Sequence, residues 1–132
     1  MSTKIEWSLM QKVFENTAGV VAAWVFGSAV KGTIQPESDL DIGVLFETTP
    51  SLDECAGLRA DLQKSLDFDD IDLVILNDTN PILRFEAISG RPIYCRDHGR
   101  RAEFASLTAR EYEDEMALAR WGLKQRSWNN QN

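Results

Sequence analysis

Apolar residues follow two spacings along the chain, one typical of helices and one typical of strands. The predicted helices cover residues 3–16, 51–66, 81–89 and about 99–126. The predicted strands cover residues 20–26, 39–47, 71–76 and 91–95, the last of them an edge strand because Pro92 lacks a ladder donor. Strands that alternate with helices predict one α/β sheet.

The first two predicted strands differ in which faces they bury. Residues 20–26 are continuously apolar, as in a strand covered on both sides. In residues 39–47 apolar side chains alternate with Asp39, Asp41 and Gly43. Because the opposite face is entirely apolar, the two acids are not expected on a simple solvated edge. Gly43 extends their face without a side chain, and we expect it to leave room for a ligand.

Composition indicates an ordinary globular chain and restricts its partners. The 132 residues are 43% hydrophobic and 27% charged, which predicts a single domain over residues 1–132. A net charge of -7 argues against direct binding to nucleic acid or to a membrane surface. No apolar stretch is long enough to span a membrane, and the N-terminus lacks a signal-peptide pattern. With Cys55 and Cys95 expected as free thiols, we predict a cytoplasmic protein.

Charge is uneven along the chain, and acids gather around the predicted strands. Residues 37–78 hold 12 acids and two bases, so a cation would collect there. Asp39 and Asp41 point to the same face of their strand, about 6.6 Å apart along it. Asp72 lies within the apolar run of the third strand, where an acid is costly unless it is solvated, paired or bound to a cation. Asp70 shares its face and is the rival candidate.

The acids and a turn define a candidate site for phosphate chemistry. Gly27 and Ser28 follow a buried strand, where glycine permits close approach of a ligand and nearby amides can face a phosphate. Asp39, Asp41 and Asp72 would repel one another unless a metal neutralised them. One or two Mg²⁺ ions would make this a phosphoryl- or nucleotidyl-transfer site. The simpler alternative is a sheet face that carries ordinary surface acids.

The motifs that carry these residues resemble a known family. Phe26–Gly32 (FGSAVKG) and Ser38–Val44 (SDLDIGV) together look like the signature of the DNA polymerase β-like nucleotidyltransferase superfamily. The short length matches its minimal nucleotidyltransferase (MNT) branch. Similarity continues downstream and covers about residues 18–120, including the segments 71–74, 81–86 and 90–94. The resemblance implies a small mixed β-sheet flanked by helices, the polymerase-β-like fold.

The resemblance also implies roles for individual residues. Asp39, Asp41 and Asp72 would be the catalytic acids and the Mg²⁺ ligands, and Asp72 would also activate the attacking hydroxyl. Gly27 and Ser28 would bind the triphosphate of ATP. All three acids are present, so the signature shows no departure from the family pattern.

MNT proteins are commonly antitoxins paired with a HEPN-domain ribonuclease toxin, and the resemblance implies such a partner here. The expected reaction is transfer of AMP from ATP to a tyrosine of the toxin, within a hetero-oligomer. We expect no counterpart of the larger substrate domain of aminoglycoside nucleotidyltransferases, and this expectation favours a protein acceptor. Two alternatives stay open: an antitoxin that neutralises its toxin by binding alone, and a transferase for a small-molecule acceptor.

Four other residues have two interpretations each. Lys31 and Arg84 would either contact the triphosphate or be solvated. Trp121 and Trp128, in the predicted C-terminal helix, would either cap the core or anchor a partner.

Overall fold

The computed structural model describes the backbone of residues 3–130 and the side chains of residues 4–122. Its strands are β1 (Thr3–Lys4), β2 (Val20–Phe26), β3 (Thr33–Ile34), β4 (Leu40–Phe46), β5 (Ile71–Ile75) and β6 (Arg91–Cys95). Its helices are α1 (Trp7–Glu15), α2 (Leu52–Leu66), α3 (Pro81–Ile88) and α4 (His98–Asn130). A 3₁₀ turn covers Gly27–Lys31 and another covers Leu76–Asp78.

The main sheet is mixed, in the order β5-β4-β2-β6. β2 runs antiparallel to both β4 and β6, whereas β4 and β5 are parallel. The four strands predicted from the sequence are those that form this sheet, and β6 lies at its edge as expected. The α+β class and the small mixed sheet flanked by helices are thus confirmed.

Two short strands at the N-terminal side were not predicted. β1 pairs with β3, with Thr3 opposite Ile34 and Lys4 opposite Thr33. The predicted helix over residues 3–16 therefore begins later, at Trp7, and Thr33–Ile34 form a strand between the predicted strands 20–26 and 39–47. The hydrophobic spacing does not predict β1 or β3, because a two-residue strand is too short to show a period.

Local sequence signals explain where α2 and α3 begin. The Ser51 hydroxyl accepts a hydrogen bond from the Glu54 amide, and the Glu54 carboxylate accepts one from the Ser51 amide. This capping box satisfies two amides that have no partner within the helix. The side chain of Asn80 caps α3 through the Leu83 amide at 2.9 Å, and Pro81 occupies the first turn.

The sheet is covered on both faces, so β2 and β4 are almost entirely buried. The face toward α1 and α2 packs the first hydrophobic cluster, whose fully buried members include Met10, Phe14, Leu40, Ile42, Leu58 and Leu62. The other face packs the second cluster, which includes Trp24, Leu45, Leu76 and Ala87 and is covered by α3 and α4. Asp41 and Asp72 belong to this second face, because they alternate with residues of the first cluster along β4 and β5.

The first half of α4 packs against α3 and the main sheet. Phe104 contacts Trp24 at a ring separation of 6.4 Å, and Tyr112 stacks on Phe85 at 4.0 Å. Further along, the side chains of Leu118 and Trp121 are 67% and 62% exposed. Trp121 therefore does not cap the core, and the side chain of Trp128 lies outside the described residues. Across residues 3–130, none of the helices combines the length and apolar character that a membrane crossing requires.

Candidate active site

Strand register brings two of the predicted acids side by side. Asp41 on β4 is the direct partner of Asp72 on β5, and on its other side Asp41 is opposite Phe26, the last residue of β2. The β2–β4 pair is antiparallel, so the end of β2 lies beside the beginning of β4. The Gly27–Lys31 turn and the acids of both strands consequently meet at one edge of the sheet.

Gly27 is in direct contact with the Asp41 carboxylate. A β-carbon built on Gly27 would lie 2.5 Å from Asp41 Oδ2, far inside normal contact distance, and the residue has a φ of +72°. Both the close approach and the left-handed backbone require glycine. The structure therefore explains why residue 27 is glycine: any side chain here would prevent the Asp41 carboxylate from approaching the backbone that leads to Ser28.

Negative charge is concentrated around Asp41. Its pKa is raised, first by burial, then by repulsion from Asp72, Asp39 and Glu86. Four carboxylates are thus close enough to influence one another. Asp39 and Asp72 are exposed and Asp41 is half-buried, so the cluster is open to solvent on one side.

The structure favours Asp72 over its rival Asp70. Asp72 is the register partner of Asp41, whereas Asp70 lies before β5 and contributes its carbonyl oxygen to the Leu40 amide at 2.8 Å. Asp70 is also not among the charges that perturb Asp41. The preference for the acid deeper in the apolar run therefore agrees with the geometry.

The expectation that Gly43 leaves room for a ligand is wrong. A β-carbon at Gly43 would lie 3.1 Å from the Ala87 side chain and 3.3 Å from that of Leu76. The space is filled by α3, which packs on β4 at this point. Glycine here admits a helix rather than a ligand.

The packing of α3 brings in a fourth acid, Glu86, which is not one of the predicted site residues. It neighbours Ala87, the residue seated over Gly43, and it contributes to the raised pKa of Asp41. No sequence signal marked Glu86, because its position depends on how α3 crosses the sheet.

Arg84 has a structural role that competes with the suggested contact to a triphosphate. Its guanidinium donates to the carbonyl oxygens of Leu76 at 2.9 Å and Asn77 at 3.0 Å. It also pairs with Glu111 of α4 at 3.5 Å, and only 18% of its side chain is exposed. Arg84 thus connects three elements: its own helix α3, the Leu76–Asp78 turn that follows β5, and α4. Lys31, in contrast, is exposed at the end of the Gly27–Lys31 turn.

The site suits a hard cation through its donor chemistry. Among the described residues, no three or more His, Cys, Asp or Glu side chains are already arranged as a metal site. Carboxylate oxygens are nevertheless the ligands that Mg²⁺ prefers. The repulsion that raises the pKa of Asp41 is also the charge excess that a divalent cation would relieve. Asp41 and Asp72 therefore fit as a ligand pair, with Asp39 as a third donor once the side chains converge on an ion.

A mixed sheet that gathers acids beside a Gly-Ser turn defines a nucleotidyltransferase fold. The chain belongs to the polymerase beta nucleotidyltransferase family, whose model matches residues 9–99. Among curated protein sequences, none matches the chain.

Several solved structures share the fold. A chain of a toxin–antitoxin crystal structure with AMP-PNP is 22% identical, with a TM-score of 0.77 over 93% of this chain and 99% of that one. A chain of a mutant MntA–HpeT toxin–antitoxin structure is 20% identical, with the same TM-score and coverage. A third belongs to a tri-AMPylated Shewanella oneidensis HEPN toxin in complex with MNT antitoxin. It is 20% identical, with a TM-score of 0.69 over 92% of this chain and 99% of that chain.

Proposed function

We propose that this chain is a Mg²⁺-dependent nucleotidyltransferase that moves AMP from ATP to a tyrosine hydroxyl of a HEPN toxin and thereby acts as its antitoxin. The observation that carries the proposal is the pairing of Asp41 with Asp72 beside the Gly27 turn. Family membership supports nucleotidyl transfer. The choice of partner and product is supported by the similar folds found with AMP-PNP and with an AMPylated HEPN toxin.

The residues of the site form two groups with different roles in this reaction. Gly27 and Ser28 hold the triphosphate through backbone amides and the serine hydroxyl. Asp39, Asp41 and Asp72 would hold Mg²⁺, which supplies charge neutralisation at the phosphates. The tyrosine oxygen attacks the α-phosphorus, the bond to the pyrophosphate breaks, and pyrophosphate leaves. Asp72 accepts the proton that the tyrosine loses.

The openness of the site favours a protein acceptor. Ser28, Asp39 and Asp72 are all exposed, so a side chain on the surface of another protein can reach them. In this proposal the partner supplies the acceptor hydroxyl, and the two proteins form a hetero-oligomer.

The test is an AMP-transfer assay followed by intact mass spectrometry of the toxin. We expect one or more AMP additions with the wild-type chain, ATP and Mg²⁺, and none with Asp41→Asn or Asp72→Asn. Asp78→Asn is the matched control, because Asp78 follows the opposite end of β5 and is also exposed. Transfer that persists in both site variants would overturn the proposal.

The exposed end of α4 favours a second function, neutralisation by binding. Leu118 and Trp121 present apolar surface that the described part of the chain does not cover. Exposed tryptophan is a common anchor of protein interfaces. If binding alone neutralises the toxin, Asp41→Asn keeps full neutralisation in a toxicity assay while Trp121→Ala loses it. If AMP transfer is required, Asp41→Asn fails even though the complex still forms.

A further inference from the structure

Residues near the start of the chain hydrogen-bond to the C-terminal end of the Gly27–Lys31 turn. The amide of Gly32 donates to the Ala29 carbonyl at 3.0 Å, and Gly32 has a φ of +97°. The carbonyl of Gly32 accepts a hydrogen bond from the Ile5 amide at 2.8 Å. The pairing of β1 with β3 continues this attachment directly afterwards. The residues that end the turn are therefore held by residues near the start of the chain.

Trp7 lies against the same point. A β-carbon placed on Gly32 would be 3.6 Å from Trp7 Cζ2 and 3.9 Å from Trp7 Nε1, so the indole lies beside this glycine, where a side chain would just meet it. The guanidinium carbon of Arg91 lies 4.0 Å from the centroid of the Trp7 ring system. This distance is well within the range of a cation–π contact.

Arg91 connects this contact to the other end of the turn. It is the first residue of β6 and is paired with Val25 of β2, two residues before Gly27. The indole thus lies beside Gly32 at the exit of the turn and, through Arg91, is connected to the strand that enters the turn. None of the acids of the site takes part in these contacts.

We propose that Trp7, held by Arg91, is a positioning residue that keeps the Gly27–Lys31 turn in the conformation that binds the triphosphate. The inference rests on the proposed function, because it assigns to the turn the binding of ATP. A turn that is fixed before binding loses less conformational freedom when the nucleotide arrives. Removing the indole should therefore weaken nucleotide binding more than it slows the chemical step.

The primary measurement is the Kd of AMP-PNP with Mg²⁺, determined by isothermal titration calorimetry on the full chain. We expect Trp7→Ala to weaken binding about tenfold, since about 1.4 kcal/mol corresponds to a factor of ten. In the transfer assay the KM for ATP should rise by a similar factor, while kcat at saturating ATP stays within about twofold. A merely structural role would instead lower the active fraction, reducing kcat and leaving KM unchanged.

Two variants of Arg91 test whether its contact with Trp7 positions the turn. Arg91→Ala and Arg91→Lys should both weaken AMP-PNP binding, because lysine lacks the planar group that stacks on an indole. If neither Arg91→Ala nor Arg91→Lys weakens binding, the contact between Arg91 and Trp7 does not position the turn, and the inference is overturned. Arg91 is exposed, so its variants keep the test decisive even if Trp7→Ala does not fold.

Leu9→Ala is the matched control, because Leu9 lies on the same helix and is 38% exposed without contacting Gly32. It should leave the Kd unchanged, and an equal loss of binding in Leu9→Ala would contradict a specific role for Trp7. A wild-type chain that binds AMP-PNP but transfers no AMP would refute the proposed reaction alone. An active wild type whose Trp7→Ala variant keeps its Kd and KM would refute the positioning role alone.

Discussion

Replacing Gly27 with alanine tests whether the approach of Asp41 to the turn is what makes the site work. The new β-carbon would lie 2.5 Å from Asp41 Oδ2. An ordinary contact between carbon and oxygen is about 3.3 Å or longer, so one of the two groups must move by about 0.8 Å. The φ of +72° adds the strain of a left-handed alanine, about 1–2 kcal/mol.

Stability and activity should respond very differently to this substitution. Asp41 is only half-buried, so its carboxylate can rotate away and the loss of stability stays near the 1–2 kcal/mol of backbone strain. The displaced carboxylate, however, is a proposed metal ligand beside the triphosphate. A misplacement of about 1 Å at a reacting centre reduces the rate about a hundredfold. We therefore expect kcat/KM for AMP transfer to fall by about that factor.

Urea unfolding and the transfer assay measure the two effects on the same preparation. Gly57→Ala is the control: Gly57 lies inside α2, and a β-carbon there would meet nothing within 4 Å. It should raise the free energy of unfolding by about 0.5–1 kcal/mol and leave transfer unchanged. If Gly27→Ala folds and transfers AMP within about threefold of wild type, the contact with Asp41 does not position the catalytic carboxylate.

Three further substitutions probe the charge cluster and the packing around it. Asp41→Asn should stabilise the metal-free chain at neutral pH, because the raised pKa of Asp41 means that its charged form opposes folding. In the wild type this penalty should fade as the pH decreases through the raised pKa of Asp41 toward the ordinary value of 3.8, and unfolding curves at several pH values test this. Mg²⁺ should raise the Tm only where Asp41 is present, and unfolding curves with and without Mg²⁺ test that. Thr108→Val should stabilise by about 1 kcal/mol in urea, because the fully buried hydroxyl of Thr108 has no hydrogen-bond partner among the described residues. Gly90→Ala should destabilise by about 3 kcal/mol, because its β-carbon would overlap the Val25 carbonyl oxygen, and an unchanged urea midpoint would refute that packing.

The elements that the sequence predicted best are those with long, regular patterns. The continuous apolar run of β2 and the strict alternation of β4 indicated two buried strands, and the structure has both within one residue of the expected bounds. The preference for Asp72 came from its depth in an apolar run, and register with Asp41 agrees with it. These features depend on one strand at a time, so spacing alone can reveal them.

The features that escaped prediction depend on contacts between elements far apart in the chain. β1 and β3 pair beside the hydrogen bond between the Ile5 amide and the Gly32 carbonyl, and neither segment is long enough to have a period of its own. Gly43 was expected to border a ligand, but only the path of α3 shows that a helix fills the space. Glu86 joins the acid cluster for the same reason. A sequence pattern describes the face that a residue occupies without saying what covers that face.

The mixed topology of the sheet explains the spacing along the chain between the Gly27-Ser28 turn and Asp41. Gly27 follows the end of β2, and Asp41 lies near the beginning of β4, so the two can meet only if β4 returns antiparallel to β2. The intervening residues must turn the chain, form β3 against β1 and re-enter the sheet with Asp41 opposite Phe26. β5 must then run parallel to β4 to bring Asp72 to the same edge. A shift of β4 by one residue would send Asp41 to the opposite face, so the register that buries the core also assembles the acids.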